Sequence, residues 1–306
     1  MKKQYSCYIL VATQLQQLTM PYTVAVSFET FLENINLKGD HRSTANGRRD
    51  DIVAKLSKSF EIVEAFSTGS IPKYTALRSH ADLDVMVALH YGKHIKNKTP
   101  TQVLHNVREA IATWRTGVRR NGQAVTLHYK TWPNVDIVPV SRVVNEDGTV
   151  SHYQVPNSNT DTWIESRPKE HAANIELKST ECGYNFRRII KMIKHWNRIH
   201  SDYLQSYHIE VLALRVFSGS LDNTTWQVFQ FFENARKLLE APLWHDAGLA
   251  DDYLTWSDRQ EVLKRFDTAT IKSRDAWYKT YDLNSDHEGA IEVWRQIFGH
   301  DFPAFG

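Results

Sequence analysis

In the first half of the chain, hydrophobic positions at helical spacing alternate with short, continuous apolar runs. Two amphipathic helices are predicted first, on faces formed by Phe28, Phe31, Leu32 and Ile35 and by Ile52, Val53, Leu56 and Phe60. A polar break at 38–43 separates them. Apolar runs at 62–66, 82–89, 124–129 and 135–140 are typical of buried strands. The pattern therefore predicts helices and strands mixed around one sheet.

The second half of the chain carries mainly helical patterns. Residues 185–197 form the clearest one, with a buried stripe of Phe186, Ile189, Ile190 and Ile193. Further helical patterns follow around 226–239, 262–266 and 291–297. Between the two halves, the polar residues 153–171 are predicted to form a loop. Asp251-Asp252 is interpreted as a helix start.

The strongest chemical signal is a pair of aspartates at the entrance of one predicted strand. Asp82 and Asp84 are two residues apart, so on a strand both carboxylates project from the same face. Asp136 lies in another predicted strand, which could bring a third carboxylate to the same place. Carboxylate oxygens suit Mg²⁺, which usually takes substrate phosphates as further ligands. Two such ions, about 3.5–4 Å apart, could stabilise the attacking and leaving oxygens of a displacement at phosphorus.

A Gly69-Ser70 turn precedes the aspartate pair. Glycine lets the backbone approach a phosphate closely, and the Ser70 hydroxyl can donate to phosphate oxygens. Such a dipeptide is usually only a turn, so its position ahead of Asp82 is what makes it a candidate. Lys73 and Arg78, which lie between the two motifs, are predicted to be solvent-exposed.

Composition and net charge limit which classes of binding partner and which cellular compartment are expected for the protein. The 306 residues carry a net charge of +2 and a pI near 8.4, a weaker basic excess than a dedicated duplex-DNA binder would show. The two cysteines, Cys7 and Cys182, are predicted to be reduced thiols. The apolar run 7–12 is too short for a signal peptide or a membrane span. We therefore predict a cytoplasmic protein; the sequence leaves open whether Met1 or Met20 is its start.

The order Gly69-Ser70, Asp82-x-Asp84 and Asp136 resembles the nucleotidyltransferase superfamily of DNA polymerase β. Two further matches narrow the resemblance: Ser206-Tyr207 in a Ser-Tyr-His run, and Lys194 in an Ile-Lys-x-Trp run. Together they are similar to the cGAS/DncV-like nucleotidyltransferases (CD-NTases), which make cyclic oligonucleotide messengers in bacterial anti-phage (CBASS) signalling. The resemblance extends from about Phe28 to the C-terminus.

The resemblance implies an α+β fold with two lobes and an active site in the cleft between them. A mixed β-sheet catalytic core with N-terminal helices is expected over 20–170. A helical lobe like the C-terminal domain of oligoadenylate synthetase is expected over 171–306. Residues 1–19 are expected to be a poorly ordered N-terminal extension.

The resemblance also implies the mechanism and its residues. Asp82, Asp84 and Asp136 would hold two Mg²⁺ or Mn²⁺ ions, and Asp136 would take the proton of the attacking ribose hydroxyl. The nucleotide-binding residues would be Gly69, Ser70, Lys194, Ser206 and Tyr207, the last stacking on a base. Nucleoside triphosphates such as ATP and GTP would be condensed and cyclised into a cyclic di- or trinucleotide, with release of pyrophosphate. Product bases, ring size, linkage, activating signal and oligomeric state stay open.

Partners follow from the same resemblance. A downstream effector would be reached through the cyclic product, and a ubiquitin-transfer-like enzyme could conjugate Gly306 to target proteins. No Cys/His cluster has zinc-ligand spacing, so zinc-dependent DNA sensing of the animal cGAS kind is not expected, nor is a membrane. Two alternatives stay open: another polymerase β-type transferase acting on tRNA, protein or a small molecule, and a catalytically inert nucleotide-binding scaffold.

Overall fold

The computed structural model of the chain describes residues 23–39, 41–78, 81–246, 248–281 and 285–306. The predicted N-terminal extension, residues 1–19, lies outside these ranges, and so do Cys7 and the choice between Met1 and Met20. Across the described ranges, no helix combines the length and the apolar composition that crossing a membrane requires.

The described residues form nine α-helices and nine β-strands. The helices are α1 (Val24–Ile35), α2 (His41–Leu56), α3 (Pro100–Ala112), α4 (Pro168–Cys182), α5 (Asn185–Ile199), α6 (Ser206–Val216), α7 (Thr224–Leu238), α8 (Trp256–Tyr278) and α9 (His287–Phe298). The strands are β1 (Ile62–Thr68), β2 (Leu83–Leu89), β3 (Arg119–Asn121), β4 (Ala124–Leu127), β5 (Val135–Val144), β6 (Val150–Asn157), β7 (Thr162–Ser166), β8 (Trp244–His245) and β9 (Gly248–Leu249). A π-helical turn lies at Tyr91–Ile95 and a 3₁₀ turn at Gly299–Asp301.

Seven of the strands form one mixed sheet whose central order is β1-β2-β5-β4-β3. Strands β2 and β5 run parallel to each other, and their other neighbours run antiparallel. Both central strands are buried along most of their length, which explains their continuous apolar runs. The second half of β5 pairs with β6, and β6 pairs with β7. The prediction of helices and strands around one sheet is confirmed.

The two faces of the sheet are covered differently. Helices α2 and α3 pack on one face, against alternate strand residues such as Val85 and Val135. The opposite face carries Met86, Val138 and Val155. Because side chains alternate along a strand, Asp84 and Asp136 lie on the same face as Met86 and Val138, away from α2 and α3. The aspartates therefore point to the side of the sheet where a cleft can form.

The helical half has its own aromatic core, and the first helix joins it. Phe28 of α1 lies 5.0 Å from Trp294 and Phe31 lies 4.7 Å from Phe298, measured between ring centroids. Helix α1 therefore packs with the C-terminal helices instead of on the sheet. The α+β architecture predicted for the chain is confirmed, whereas the division at 170 stays a prediction.

Residues 153–171, predicted to be a loop, are wrongly assigned. They contain most of β6, all of β7 and the first turn of α4. The reason is that β6 and β7 form an antiparallel hairpin whose polar positions face solvent, so the segment lacks the continuous apolar run of a central strand. Tyr153 and Val155 are its buried positions.

Two shorter assignments also need correction. The polar break at 38–43 is partly helical, because α2 already begins at His41 and buries only a few of its residues. Asp251 does not start a helix: its carboxylate accepts hydrogen bonds from Arg259 (2.7 Å) and from the Leu243 N–H (3.1 Å). Helix α8 instead begins at Trp256, where the Thr255 hydroxyl caps the Asp258 N–H.

Candidate active site

The centre of the site is a pair of aspartates on the two central strands. Asp84 of β2 and Asp136 of β5 are direct partners in the parallel register. Asp82 lies just before β2, on the same face and more exposed. The three carboxylates do not all come within 4.8 Å of one another. The register thus pairs Asp84 with Asp136, and Asp82 shares their face of the sheet without completing a tight cluster of three.

Thr126 holds the Asp136 carboxylate in place, a role that sequence reasoning missed. It lies on β4, directly opposite Asp136 in the antiparallel register. Its hydroxyl donates a hydrogen bond of 2.5 Å to Asp136 Oδ1. A threonine in a predicted strand gives no signal of such a contact, since the pairing partner is known only once the sheet order is known.

The electrostatics of the aspartates favour the binding of a cation. Burial, together with the neighbouring carboxylates of Asp136 and Asp82, raises the pKa of Asp84 to about 7. Burial also raises the pKa of Asp136, although the hydrogen bond from Thr126 opposes this. Desolvated like charges repel, and a divalent cation relieves that repulsion. The donor set consists of oxygens, which fits Mg²⁺ or Mn²⁺.

Gly69 packs directly against the Asp84 carboxylate. A Cβ atom at position 69 would lie 1.9 Å from Asp84 Oδ2, and the residue has a φ of +75°. Both observations require glycine here. The prediction gave this glycine a role beside phosphate, and the structure adds the close approach to Asp84.

Ser70, Lys194 and Ser206 line one small cavity, together with Thr75 and Arg198. Ser206 is the first residue of α6, so the N-terminus of that helix lies at the cavity wall. Hydroxyls, cations and a helix N-terminus are the groups that bind phosphate. The three residues predicted to hold the triphosphate therefore lie together.

Lys194 is buried and already has a partner. Its Nζ lies 2.8 Å from Glu210 Oε1 and 3.1 Å from Thr75 Oγ1, and the side chain is only 4% exposed. Lys73 reaches the other carboxylate oxygen of Glu210 at 2.5 Å. The prediction that Lys73 is solvent-exposed is therefore wrong, because its partner lies 137 residues further along the chain.

Glu210 is the hub of this cluster. It is 1% exposed and also accepts a hydrogen bond from His171 Nε2 at 2.8 Å. Although burial alone would favour the protonated acid, Lys194, Lys73 and His171 hold the pKa of Glu210 well below its usual range. Two lysines against one carboxylate leave the cluster with a net positive charge, which favours an anion in the adjoining cavity.

Tyr207 lies in a second, larger cavity of about 520 Å³ that also contains Gly69, Lys73 and Asp84. This volume is in the range of pockets that hold drug-sized ligands, roughly 300–1,000 Å³. Its floor includes Met86, Val138 and Val155 from the open face of the sheet. The predicted base-stacking tyrosine and the predicted metal ligand Asp84 thus share one cavity.

A comparison with known families decides the identity of this arrangement. Residues 22–178, just over half of the chain, match the Second Messenger Oligonucleotide or Dinucleotide Synthetase (SMODS) domain. The chain belongs to the SMODS family. The predicted resemblance to the cGAS/DncV-like nucleotidyltransferases is thereby confirmed.

Individual relatives of this SMODS chain agree with the family match. It is 20% identical to a probable cyclic nucleotide synthase of Bacillus cereus (strain VD146), covering 93% of this chain and 99% of that one. It is 23% identical to the cyclic AMP-AMP-AMP synthase of an Acinetobacter species, covering 86% of this chain and 80% of that one. The structure of Escherichia coli MS115-1 CdnC with ATP superposes with a TM-score of 0.71 at 18% identity, covering 91% of this chain and 98% of that one.

The SMODS chain is therefore an enzyme, a nucleotidyltransferase of the cyclic nucleotide synthase class, as its motifs predict. The family match ends at residue 178, whereas the relatives cover the helical half as well. That half supplies Lys194, Ser206 and Tyr207, so both halves of the chain contribute to the site.

Proposed function

We propose that this SMODS enzyme condenses and cyclises nucleoside triphosphates into a cyclic di- or trinucleotide messenger for CBASS signalling. The observation that carries the proposal is that Asp84, the register partner of Asp136, lines the same cavity as Tyr207. One side of that cavity has oxygen ligands for cations and the other has an aromatic ring for a base. A transferase that joins two nucleotides needs both.

Asp82, Asp84 and Asp136 are the residues that would hold two Mg²⁺ or Mn²⁺ ions. Bound there, the ions would stabilise charge on the attacking and leaving oxygens at the α-phosphorus. Asp136 accepts the proton of the attacking ribose hydroxyl, and the hydrogen bond from Thr126 fixes which of its oxygens is free to do so. These residues act mainly by positioning and charge, as phosphoryl transfer requires.

The donor triphosphate is held by Ser70 and Ser206, with Lys194 behind them. The two hydroxyls donate to phosphate oxygens, and the N-terminus of α6 adds a partial positive charge. Lys194 keeps its contact with Glu210 and contributes charge from below the cavity. After the first bond forms, the linear intermediate turns so that its own triphosphate occupies this cavity.

Tyr207 stacks on a nucleobase over the apolar floor of the larger cavity. Stacking on an aromatic ring contributes about 1–3 kcal/mol per base and tolerates different bases. The Acinetobacter relative named for a product of three AMP units, and the CdnC structure with ATP, support ATP as one substrate.

Beyond the reaction, the proposed setting is the bacterial cytoplasm, where nucleoside triphosphates are available. The buried, unpaired thiol of Cys182 fits that compartment. The cyclic product acts on a downstream effector, and Gly306 is the proposed point of conjugation by a ubiquitin-transfer-like enzyme. An intact mass that never shifts when the neighbouring genes are co-expressed would remove the conjugation proposal.

The test is to incubate the purified protein with all four nucleoside triphosphates, labelled one at a time at the α-phosphorus, and Mg²⁺ or Mn²⁺. Products are treated with phosphatase and separated by mass. A phosphatase-resistant cyclic species, absent from Asp82→Asn/Asp84→Asn and retained in Asp275→Asn, is the expected result. Asp275 is an exposed aspartate of α8 and serves as the matched control.

Two outcomes would overturn the proposal. Transfer of label to added tRNA or protein would make the chain another polymerase β-type transferase. Binding of triphosphate by isothermal titration with no product under any metal would make it an inert binder.

A further inference from the structure

Three metal-type donor atoms converge on the wall of the larger cavity, outside the aspartate site. They belong to His171 of α4, His245 at the end of β8 and Asp246, and one donor atom of each residue lies within 4.8 Å of those of the other two. Across the part of the chain that the structure describes, this is the one such group of three. All three residues line the cavity that contains Tyr207.

The spacing of these atoms is that of ligands around a small cation. His245 Nε2 lies 3.4 Å from His171 Nδ1 and 3.4 Å from Asp246 Oδ2. Both separations exceed the usual 2.7–3.2 Å of a hydrogen bond to nitrogen. A tetrahedral ion with bonds of about 2.0–2.1 Å places its ligands about 3.3–3.4 Å apart. Two of the three distances between donor atoms therefore match those between the ligands of a tetrahedral ion.

A second carboxylate orients the first histidine. Glu210 Oε2 accepts a hydrogen bond of 2.8 Å from His171 Nε2, which fixes the proton on that nitrogen and leaves Nδ1 with its lone pair toward His245. Glu210 is itself held by Lys73 and Lys194. This arrangement, in which a carboxylate supports a histidine from behind, is the usual outer support of a metal-bound imidazole.

The cluster is sheltered but reachable. His171 is buried and His245 half-buried, whereas Asp246 is an exposed residue whose side chain is 18% exposed. Asp246 has a φ of 48°, a left-handed conformation that aspartate tolerates, and its carboxylate also accepts a hydrogen bond from the Tyr207 hydroxyl. The three side chains would cover one side of a cation bound here, and its other side would face the cavity.

We propose that His171, His245 and Asp246 bind one transition-metal dication of the Zn²⁺ type, with a fourth position open to the cavity. Two imidazole nitrogens and one carboxylate select Zn²⁺, Co²⁺ or Ni²⁺ over Mg²⁺, which prefers oxygen ligands. The ion joins the β8–β9 hairpin to the N-terminus of α4, beside Tyr207. The site is separate from the three aspartates, and its existence does not depend on the proposed function.

The test measures metal binding directly. The full-length protein is stripped with a chelator, and Zn²⁺ or Co²⁺ is titrated in the presence of excess Mg²⁺. We expect one ion per chain, a visible Co²⁺ spectrum typical of four-coordinate nitrogen and oxygen ligation, and a higher thermal midpoint with Zn²⁺. His245→Asn and Asp246→Asn, each checked for folding by circular dichroism, should bind at least about tenfold more weakly. His105→Asn removes an exposed histidine and should change nothing.

Asp84→Asn separates this site from catalysis. It should abolish synthesis of the cyclic product and leave Zn²⁺ binding intact. The inference is wrong if the stripped native protein takes up no stoichiometric Zn²⁺. It is equally wrong if His245→Asn and Asp246→Asn bind the ion as well as the native chain, since the ion would then sit on other surface groups. In either case the three residues would be contacts for the bound nucleotide only.

Discussion

Asp84 is partly buried and Glu210 is 1% exposed, and the pKa values of these two carboxylates shift in opposite directions. Asp84 faces two other carboxylates, and its pKa rises to about 7. Glu210 faces Lys73, Lys194 and His171, and its pKa falls well below the usual range. Burial acts on both carboxylates, so the charges of the neighbouring groups decide whether the pKa rises or falls. Lys73 and Lys194 also oppose the rise in the pKa of Asp84, but burial and the two neighbouring carboxylates outweigh them, so Asp84 can still take a cation from solution.

The largest effect should come from Asp84→Asn. The amide keeps the shape of the side chain but loses the negative charge that a divalent ion requires, so synthesis of the cyclic product should fall by at least about 10³-fold. Thermal stability without metal should stay the same or rise, because one member of a repelling group is removed. Product formation and a thermal melt measure the two effects. A variant that unfolds would contradict the assignment of Asp84 to function.

Glu210→Gln should act in the opposite way to Asp84→Asn, since it should lower the stability of the fold. It leaves Lys73 and Lys194 buried without a compensating charge, and breaking a buried ion pair in this way typically costs about 3–5 kcal/mol. Urea denaturation measures the loss in the free energy of unfolding. Glu292→Gln, on the exposed face of α9, is the matched control and should change the stability little. Equal stability of the two variants would show that Glu210 is not the hub described here.

A pH series sharpens the comparison. In the folded chain Asp84 titrates near 7, against a usual value of 3.8, so the fold binds more protons than the unfolded chain between these values. The Asp84 contribution therefore favours folding at low pH and is lost as the pH rises through 7. In the presence of a chelator, the native protein should lose roughly 2–3 kcal/mol relative to Asp84→Asn between pH 5 and pH 8.

Added Mg²⁺ provides the control for this series. At pH 8 it should raise the thermal midpoint of the native protein and leave that of Asp84→Asn unchanged, because the ion binds only the folded ligand set. A parallel pH response of the two proteins would contradict the raised pKa.

Thr126→Val should have the smallest effect of these substitutions, a weaker apparent affinity for Mg²⁺. Loss of the hydroxyl frees the Asp136 carboxylate to rotate, and supports of metal ligands typically contribute about tenfold to activity or affinity. The apparent affinity for Mg²⁺, measured from the dependence of product formation on metal concentration, should weaken by about that factor. Thr126→Ser keeps the donor and should behave like the native protein. A loss of affinity in Thr126→Ser but not in Thr126→Val would mean that the methyl group matters instead.

Local patterns predicted most of the fold and the centre of the site. The helix around Ile190 and the strand after Asp84 were found because their hydrophobic spacing repeats over several residues. The β6–β7 hairpin was missed because buried and exposed positions do not alternate regularly along its two half-exposed strands. Pattern reasoning detects burial on a regular period, and these strands have little of it.

Contacts between distant residues account for the rest. Lys73 looks like a surface lysine until Glu210, 137 residues away, is folded against it. His171 and His245 are 74 residues apart, so no search for zinc-ligand spacing along the sequence could join them. In each case the chemistry arises where the helical half meets the sheet. The resemblance to a known family supplied Lys194 and Ser206, which no single pattern would have selected.

The glycine beneath Asp84 has a consequence for how this protein can vary. A Cβ atom at position 69 would lie 1.9 Å from the Asp84 carboxylate, so residue 69 can change only if residue 84 changes with it. Random replacement at position 69 alone should return only glycine among active clones. A library that changes both positions would explore different metal-binding geometries, because a shorter or displaced ligand at 84 is what makes room for a side chain at 69.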